Sequence, residues 1–212
     1  IDNLKRLRFV TSHPRDMNED LIQLFGQEEK LMPYLHLPIQ SGSNKILKKM
    51  NRGHTVEYYL DIISRLKKIR PEIAISGDFI VGFPGETEVD FQKTLDVCKI
   101  IKYSQAYSFK YSPRTGTPSF EMKDIPDNIK SYRLSKLQET IFLYQQQFQQ
   151  NLIGSVQAVL IEKIGKFEDQ YVGRTPYMNP VVFNSKQNQI GKIIPVKINS
   201  TNGLSLSGEY VT

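Results

Sequence analysis

Apolar and polar residues recur with two different periods over the first 150 residues, and these periods predict strands and helices in alternation. Apolar runs or apolar/polar alternation at residues 4–10, 34–39, 73–81 and 105–111 are typical of strands, while three- to four-residue spacing at 16–25, 45–50, 56–69 and 88–101 indicates amphipathic helices. Strands and helices alternating at this spacing predict parallel β-α-β units. Four strands are too few to close a barrel, so we expect an α/β fold that forms part of one.

The second half of the chain changes its pattern. Residues 125–152 carry one apolar stripe, which predicts a long linking helix. Five short strand-like segments then follow, separated by Gly, Asn and Ser, at residues 156–161, 170–174, 180–183, 192–198 and 204–211. This spacing predicts a small five-stranded all-β barrel of the oligonucleotide-binding kind. We therefore divide the chain into domains 1–152 and 153–212.

Composition adds a weak indication of the partner. The 212 residues are 39% hydrophobic and 24% charged, as in ordinary globular proteins, and no apolar run is long enough to span a bilayer. The net charge of +6 suits nucleic acid or another polyanion. Because the chain begins at Ile1 and not at methionine, we expect a fragment or a processed product.

The cysteine content limits metal chemistry. Cys98 is the single cysteine of the sequence and lies on an apolar helical face, so we expect a buried structural thiol. One thiolate cannot form a multi-cysteine metal site. No Ser-His-Asp order or zinc-ligand spacing is present in the sequence.

Polar side chains stand at the predicted strand ends. Asp78 interrupts an apolar strand that ends in a Gly-Phe-Pro-Gly turn, and a carboxylate there needs a partner. That partner is either a neighbour such as Arg52 or a ligand hydroxyl, such as a ribose diol. His13 and the Gln40-Ser41 pair follow two other strands, so these groups are expected to meet at one edge of the sheet. Each could instead be only a cap, and His36 could be only a satisfied core residue.

The β module offers basic and aromatic side chains for nucleic acid. Its acidic residues offset much of that charge, so a basic surface without a ligand is an equal alternative. The residues of interest are Lys163, Lys166, Arg174, Lys186, Lys192 and Lys197, with Phe167, Tyr171, Tyr177 and Phe183 as stacking platforms.

Five motifs, in order along the chain, resemble the radical S-adenosylmethionine methylthiotransferases, and most closely the branch that modifies tRNA. They are RFVTSHP (8–14), LHLPIQSGS (35–43), MNRGHT (50–55), SGDFIVGFPGET (76–87) and YSFKYSPRTGTP (107–118). The resemblance implies a partial radical-SAM (β/α) barrel followed by a TRAM domain that binds tRNA. It also implies transfer of a methylthio group to position 2 of an isopentenyl-adenosine next to the anticodon, in the cytoplasm, with S-adenosylmethionine and 4Fe-4S clusters as cofactors.

The resemblance also implies site residues. Gln40, Ser41 and Asp78 match positions that contact S-adenosylmethionine, Ile80 to Gly82 match the adenine contact, and Arg52 is a further cofactor candidate. For RNA we assign Arg114, Lys163, Lys166, Arg174 and Lys192.

The family's cluster-binding cysteines are absent, so we predict no metal ligands here and no activity of this fragment by itself. Two alternatives stay open. One is a methylthiotransferase that modifies an aspartate of a ribosomal protein, and the other is a non-catalytic RNA-binding module.

Overall fold

The computed structural model describes residues 1–8 and 13–211, which fold into a parallel α/β sheet followed by a β-barrel. Short 3₁₀ helices at Pro14–Asp16 and Pro118–Glu121 accompany the main elements. The helices are α1 (Glu19–Gln27), α2 (Asn44–Lys49), α3 (Val56–Ile69), α4 (Glu88–Ile101) and α5 (Asp127–Gln150). The strands are β1 (Tyr34–His36), β2 (Ala74–Val81), β3 (Gln105–Lys110), β4 (Val156–Ile164), β5 (Gln170–Arg174), β6 (Pro180–Asn184), β7 (Ile193–Thr201) and β8 (Leu206–Tyr210).

The sheet has the order β1-β2-β3, and all its strands are parallel. Side chains on one face, such as Leu35 and Phe79, pack with the apolar stripes of the helices, including Tyr59 and Phe91, into one core. Alternation places Tyr34, His36, Ser76 and Asp78 on the opposite face. This architecture confirms the predicted partial α/β barrel.

The first predicted strand, at residues 4–10, is only partly covered, because residues 9 and 10 lie outside the described residues. Its described part makes an isolated parallel bridge between Leu7 and Leu31. The Leu7 N–H donates to the carbonyl of Lys30 at 2.7 Å, and the Leu7 carbonyl accepts from Met32 N at 3.0 Å. Residues 4–8 therefore lie beside β1 but do not form a full strand there.

The last five strands close into a barrel, as predicted, and their order around it is β4-β5-β6-β8-β7. Because the barrel is closed, its strands leave no open edge. Inward-facing residues such as Val159, Phe183 and Val196 fill its interior. Helix α5 leads into the barrel after packing Leu137 and Ile141 into the core of the sheet. The exact domain division at 152/153 stays a prediction.

Two sets of contacts hold the barrel against the α/β part. Arg6 donates to the carbonyls of Arg174 (3.2 Å) and Ala158 (2.5 Å), and Arg8 donates to the carbonyl of Thr175 (2.8 Å). At the end of α5, the Thr201 hydroxyl donates to Gln149 Oε1 at 2.6 Å. The barrel therefore has a defined position next to the sheet.

A buried carboxylate fixes the amino terminus of α4. Asp90 Oδ2 accepts from Thr87 N at 2.9 Å and from Lys45 Nζ at 2.7 Å, and Oδ1 accepts from the Ser43 hydroxyl at 2.7 Å. Thr87 completes a capping box by accepting from Asp90 N. Burial opposes ionisation, but these donors outweigh it and hold the pKa of Asp90 well below its ordinary value.

This capping carboxylate predicts a pH dependence of stability. A folded-state pKa below the unfolded value adds stability above about pH 4, and that stability is lost as the pH falls further. Urea unfolding should therefore show Asp90→Asn less stable than wild type by about 1–3 kcal/mol near pH 7, with a smaller difference near about pH 3. Substitution of the exposed Asp2 by Asn is the control. A difference that does not change with pH would contradict the role of the Asp90 charge.

Candidate functional site

A cavity of about 880 Å³ lies at the carboxyl ends of β2 and β3. The turn after α2 and residues 112–119 complete its walls. Parallel strands bring their polar ends together at such an edge, which is where α/β proteins bind ligands. The described lining residues are Gln40, Lys49, Met50, Asn51, Arg52, Asp78, Ile80, Phe83, Phe109, Lys110, Tyr111, Ser112, Arg114, Thr117, Pro118 and Ser119.

Asp78 lines this cavity, and its side chain is 27% exposed. Its Oδ2 lies 3.4 Å from His36 Nε2, and His36 Nδ1 lies 2.9 Å from the Ser76 hydroxyl. The sequence suggested Arg52 as the structural partner, but the side chain in direct contact with the carboxylate is His36. This neighbour orients the carboxylate and leaves part of it facing the cavity.

His36 is the contributor that the sequence reasoning undervalued. It is buried, as expected for a core residue, but it lies on the polar face of the sheet with Asp78. The register pairs His36 with Ser76, two residues before Asp78. The alternation of period two in each strand could have indicated that His36 and Asp78 lie on one face of the sheet. That inference required the register of β1 against β2, which the sequence does not give.

Arg52 enters the same cavity from the turn after α2. Its Nη2 donates to the carbonyl of Pro38 at 3.3 Å, and its buried Nε has no partner among the described residues. Burial lowers the pKa of Arg52, and the charge of Asp78 partly offsets this. Arg52 and Asp78 therefore line the same cavity.

Two histidines lie beside this arginine. The rings of His13 and His54 pack edge to face with centroids 5.2 Å apart. Burial lowers the pKa of both imidazoles, and the charge of Arg52 lowers it further. Both effects favour the neutral imidazole, which can accept and donate hydrogen bonds. Neither ring lies in the described cavity lining.

Gln40 and Ser41 have different environments. Gln40 adopts a φ of 78°, which is strained for a residue with a side chain, and it lines the cavity. Its backbone continues the ladder, since Gln40 N donates to Asp78 O and Ile80 N donates to Gln40 O, both at 2.9 Å. Ser41 is fully buried, and its hydroxyl accepts from Ser43 N at 3.2 Å. Only Gln40 of this pair faces the cavity.

Ile80 and Gly82 also differ. Ile80 lines the cavity, whereas Gly82 is buried beneath α5 with φ at 74°. A Cβ at Gly82 would lie 2.2 Å from Lys130 Cγ, so glycine is required by the close approach of that side chain. The Gly82 N–H donates to Glu86 Oε2 at 2.7 Å, which leaves it engaged within the protein.

The residues assigned to RNA fall into two places. Arg114 lines the cavity, while Lys163, Lys166 and Lys192 are exposed on the barrel. Arg174 is half-buried and engaged, with Nε 3.3 Å from Glu162 Oε2 and Nη1 donating to the Met178 carbonyl. Lys166 Nζ lies 5.7 Å from the ring centroid of Phe167, which is 65% exposed. The β4–β5 turn thus presents a cation and an aromatic face together, an arrangement that suits a nucleobase.

The two implied cofactors fit these residues differently. The cavity offers a carboxylate for ribose hydroxyls, an arginine for a carboxylate, and apolar surface at Ile80 and Phe83, as S-adenosylmethionine requires. An iron-sulfur cluster needs several thiolates. Cys98 is fully buried, burial raises the pKa of its thiol, and no metal-binding group of three His, Cys, Asp or Glu occurs among the described residues. The described residues therefore do not fit a cluster.

Comparisons with known proteins match the two parts of the chain to two different family models. The model of the radical SAM superfamily matches residues 1–98, and that of the TRAM domain matches residues 150–211. The tRNA-2-methylthio-N(6)-dimethylallyladenosine synthases of Rickettsia rickettsii and Rickettsia felis are 57% and 54% identical to the chain over 213 residues. All of the chain is covered, but only 48% of each relative, so the chain spans about half of their length.

A solved structure supports the fold. Coproporphyrinogen III oxidase (HemN) from Escherichia coli, a radical SAM enzyme, superposes with a TM-score of 0.51 at 16% identity. The match covers 81% of this chain and 46% of that protein. None of the described helices has the length and apolar character needed to cross a membrane.

Proposed function

We propose that this chain is the part of a tRNA methylthiotransferase of the radical S-adenosylmethionine superfamily that binds S-adenosylmethionine and tRNA. The whole protein would add a methylthio group to position 2 of an adenosine that carries an N6-dimethylallyl group. The observation that carries the proposal is the 54–57% identity to synthases of this modification along the entire chain.

The cavity supplies the groups for the cofactor. Asp78, oriented by His36, would accept hydrogen bonds from the ribose hydroxyls, and Arg52 would hold the carboxylate of the methionine part. Ile80 and Phe83 offer apolar contact to the adenine. When bound, S-adenosylmethionine supplies the radical and the methyl group in this chemistry. The family's 4Fe-4S clusters would be held by residues outside this chain, so we propose that the chain by itself does not turn over.

The barrel would grip tRNA through its exposed basic residues and the Lys166-Phe167 turn. We also propose a cytoplasmic location for the whole protein, in keeping with a tRNA substrate.

A salt-dependent tRNA titration tests the binding part of this proposal. We expect the chain to bind tRNA with an affinity that falls as salt rises, because lysine-phosphate contacts release counterions. Substitution of Lys163, Lys166 and Lys192 by alanine should weaken binding by about tenfold and flatten the salt dependence. The matched control replaces Lys68, Lys93 and Lys99, which are exposed on helices of the α/β part. Absence of binding even at low salt would refute the role of the barrel.

A further inference from the structure

We propose that Lys49, Tyr111 and Arg114 form a second subsite in the cavity, which binds an RNA phosphate next to the nucleotide being modified. This inference rests on the proposed function, because it places the substrate beside the cofactor. It assigns to RNA a second wall of the cavity, formed by the end of α2 and the segment after β3.

The charge of the cavity exceeds what the cofactor needs. Its basic lining residues are Lys49, Arg52, Lys110 and Arg114, and Asp78 is the one acidic residue in its described lining. Lys110 is neutralised, since its Nζ lies 2.9 Å from Asp127 Oδ1. S-adenosylmethionine carries a sulfonium and an ammonium against one carboxylate, so it is itself a net cation. Once Arg52 pairs with that carboxylate, Lys49 and Arg114 have no anion from the cofactor, and a phosphate group would supply one.

The cavity also has room for more than one ligand group. Its volume of about 880 Å³ lies toward the upper end of the range of roughly 300–1,000 Å³ for single-ligand pockets. The second wall carries aromatic rings and hydroxyls, at Phe109, Tyr111, Ser112 and Thr117. Such a surface suits a nucleoside and its phosphate more than the amino-acid part of the cofactor.

Tyr111 gives an independent indication of a ligand contact in this part of the cavity. Its hydroxyl is buried and has no hydrogen-bond partner among the described residues, while its ring packs against Phe83 with centroids 4.9 Å apart. A buried hydroxyl without a partner is costly, and such groups are rare in folded proteins. A phosphate or base edge in the cavity would satisfy this hydroxyl once the Tyr111 side chain turns it toward the cavity.

The test measures binding of a fluorescein-labelled anticodon stem-loop RNA to the full 212-residue chain by anisotropy, over a range of salt, with saturating S-adenosylmethionine. We expect Lys49→Ala with Arg114→Ala to weaken binding about five- to tenfold and to lower the salt slope by about one. The control pair Lys48→Ala and Lys123→Ala removes the same charge from exposed positions outside the cavity. The salt slope of this control variant should lie within about 0.3 of the wild-type slope.

Tyr111→Phe distinguishes a ligand contact from a structural role. It removes only the unpartnered hydroxyl, so RNA binding should fall about two- to fivefold while the unfolding midpoint stays equal or rises. Equal RNA affinity in the cavity pair and the control pair would overturn the subsite. Calorimetric titration of S-adenosylmethionine on the same variants separates the two proposals: if wild type binds no cofactor, the proposed function fails, whereas cofactor binding with unchanged RNA affinity refutes the subsite alone.

Discussion

Asp78→Asn is expected to weaken binding of S-adenosylmethionine to the chain by about 10- to 100-fold. Hydrogen bonds to a charged acceptor contribute about 1.5–3 kcal/mol, and asparagine keeps the shape of the side chain but loses the charge and one acceptor. The carboxylate lines the cavity and is held by His36 at 3.4 Å, so its geometry is set before the ligand arrives. Isothermal titration of the cofactor measures the effect directly.

Two further variants define the origin of that loss. Asp96→Asn is the matched control, because Asp96 is an exposed carboxylate on α4 that bonds Gln92 and Lys99 away from the cavity. His36→Phe removes the orienting partner but keeps an aromatic ring of similar size, and should reduce affinity by a smaller factor than Asp78→Asn. If Asp78→Asn and Asp96→Asn bind the cofactor equally well, the assignment of Asp78 is wrong.

Arg133→Ala is expected to destabilise the fold by about 3–5 kcal/mol, because it leaves Glu86 as a buried charge without its partner. Arg133 Nη1 donates to Glu86 Oε2 at 2.9 Å, and the side chains are 6% and 0% exposed. Burial raises the pKa of Glu86, and the Gly82 N–H and the Arg133 charge oppose that rise. The pair joins α5 to the turn after β2, so its loss also loosens the wall of the cavity. Urea unfolding gives the free energy.

A pH series and a control variant test whether the Glu86–Arg133 pair stabilises the fold. Without Arg133 the pKa of Glu86 rises further, so the loss of stability is largest near neutral pH and shrinks as the pH falls toward the carboxyl's ordinary pKa. Arg65→Ala breaks exposed pairs with Glu19 and Asp61 and should cost less than about 1 kcal/mol. The double variant Glu86→Leu with Arg133→Met should recover much of the stability, since it removes both charges. A loss below about 1 kcal/mol for Arg133→Ala would contradict the role of the pair.

The helices and barrel strands were predictable because their signals are local. The spacing of apolar residues placed α3 at Val56–Ile69 and α4 at Glu88–Ile101 with the observed bounds, and turn residues separated the strands of the barrel. The segment at residues 4–10 was the exception. Its alternating pattern indicates a strand, but pairing depends on a neighbouring edge, and its described part makes one bridge to Leu31.

The site was predictable only in part, since side-chain direction depends on strand pairing and helix packing. Gln40, Asp78, Ile80 and Arg52 share one cavity as expected, whereas Ser41 is turned into the interior and the Gly82 amide is engaged by Glu86. The residues assigned to RNA likewise divide between the barrel and the cavity, a separation that no local pattern encodes.

The sequence by itself determined the class of each half, the position of the glycine turn and the presence of a carboxylate at Asp78 that needs a partner, because periodicity, turn residues and desolvation act over short stretches. Only the tertiary structure decided that this carboxylate pairs with His36, that Arg114 belongs to the cavity, and that Glu86 and Arg133 form a buried pair. Each of these contacts joins residues distant in sequence, and the register of β1 with β2 or the packing of α5 brings them together.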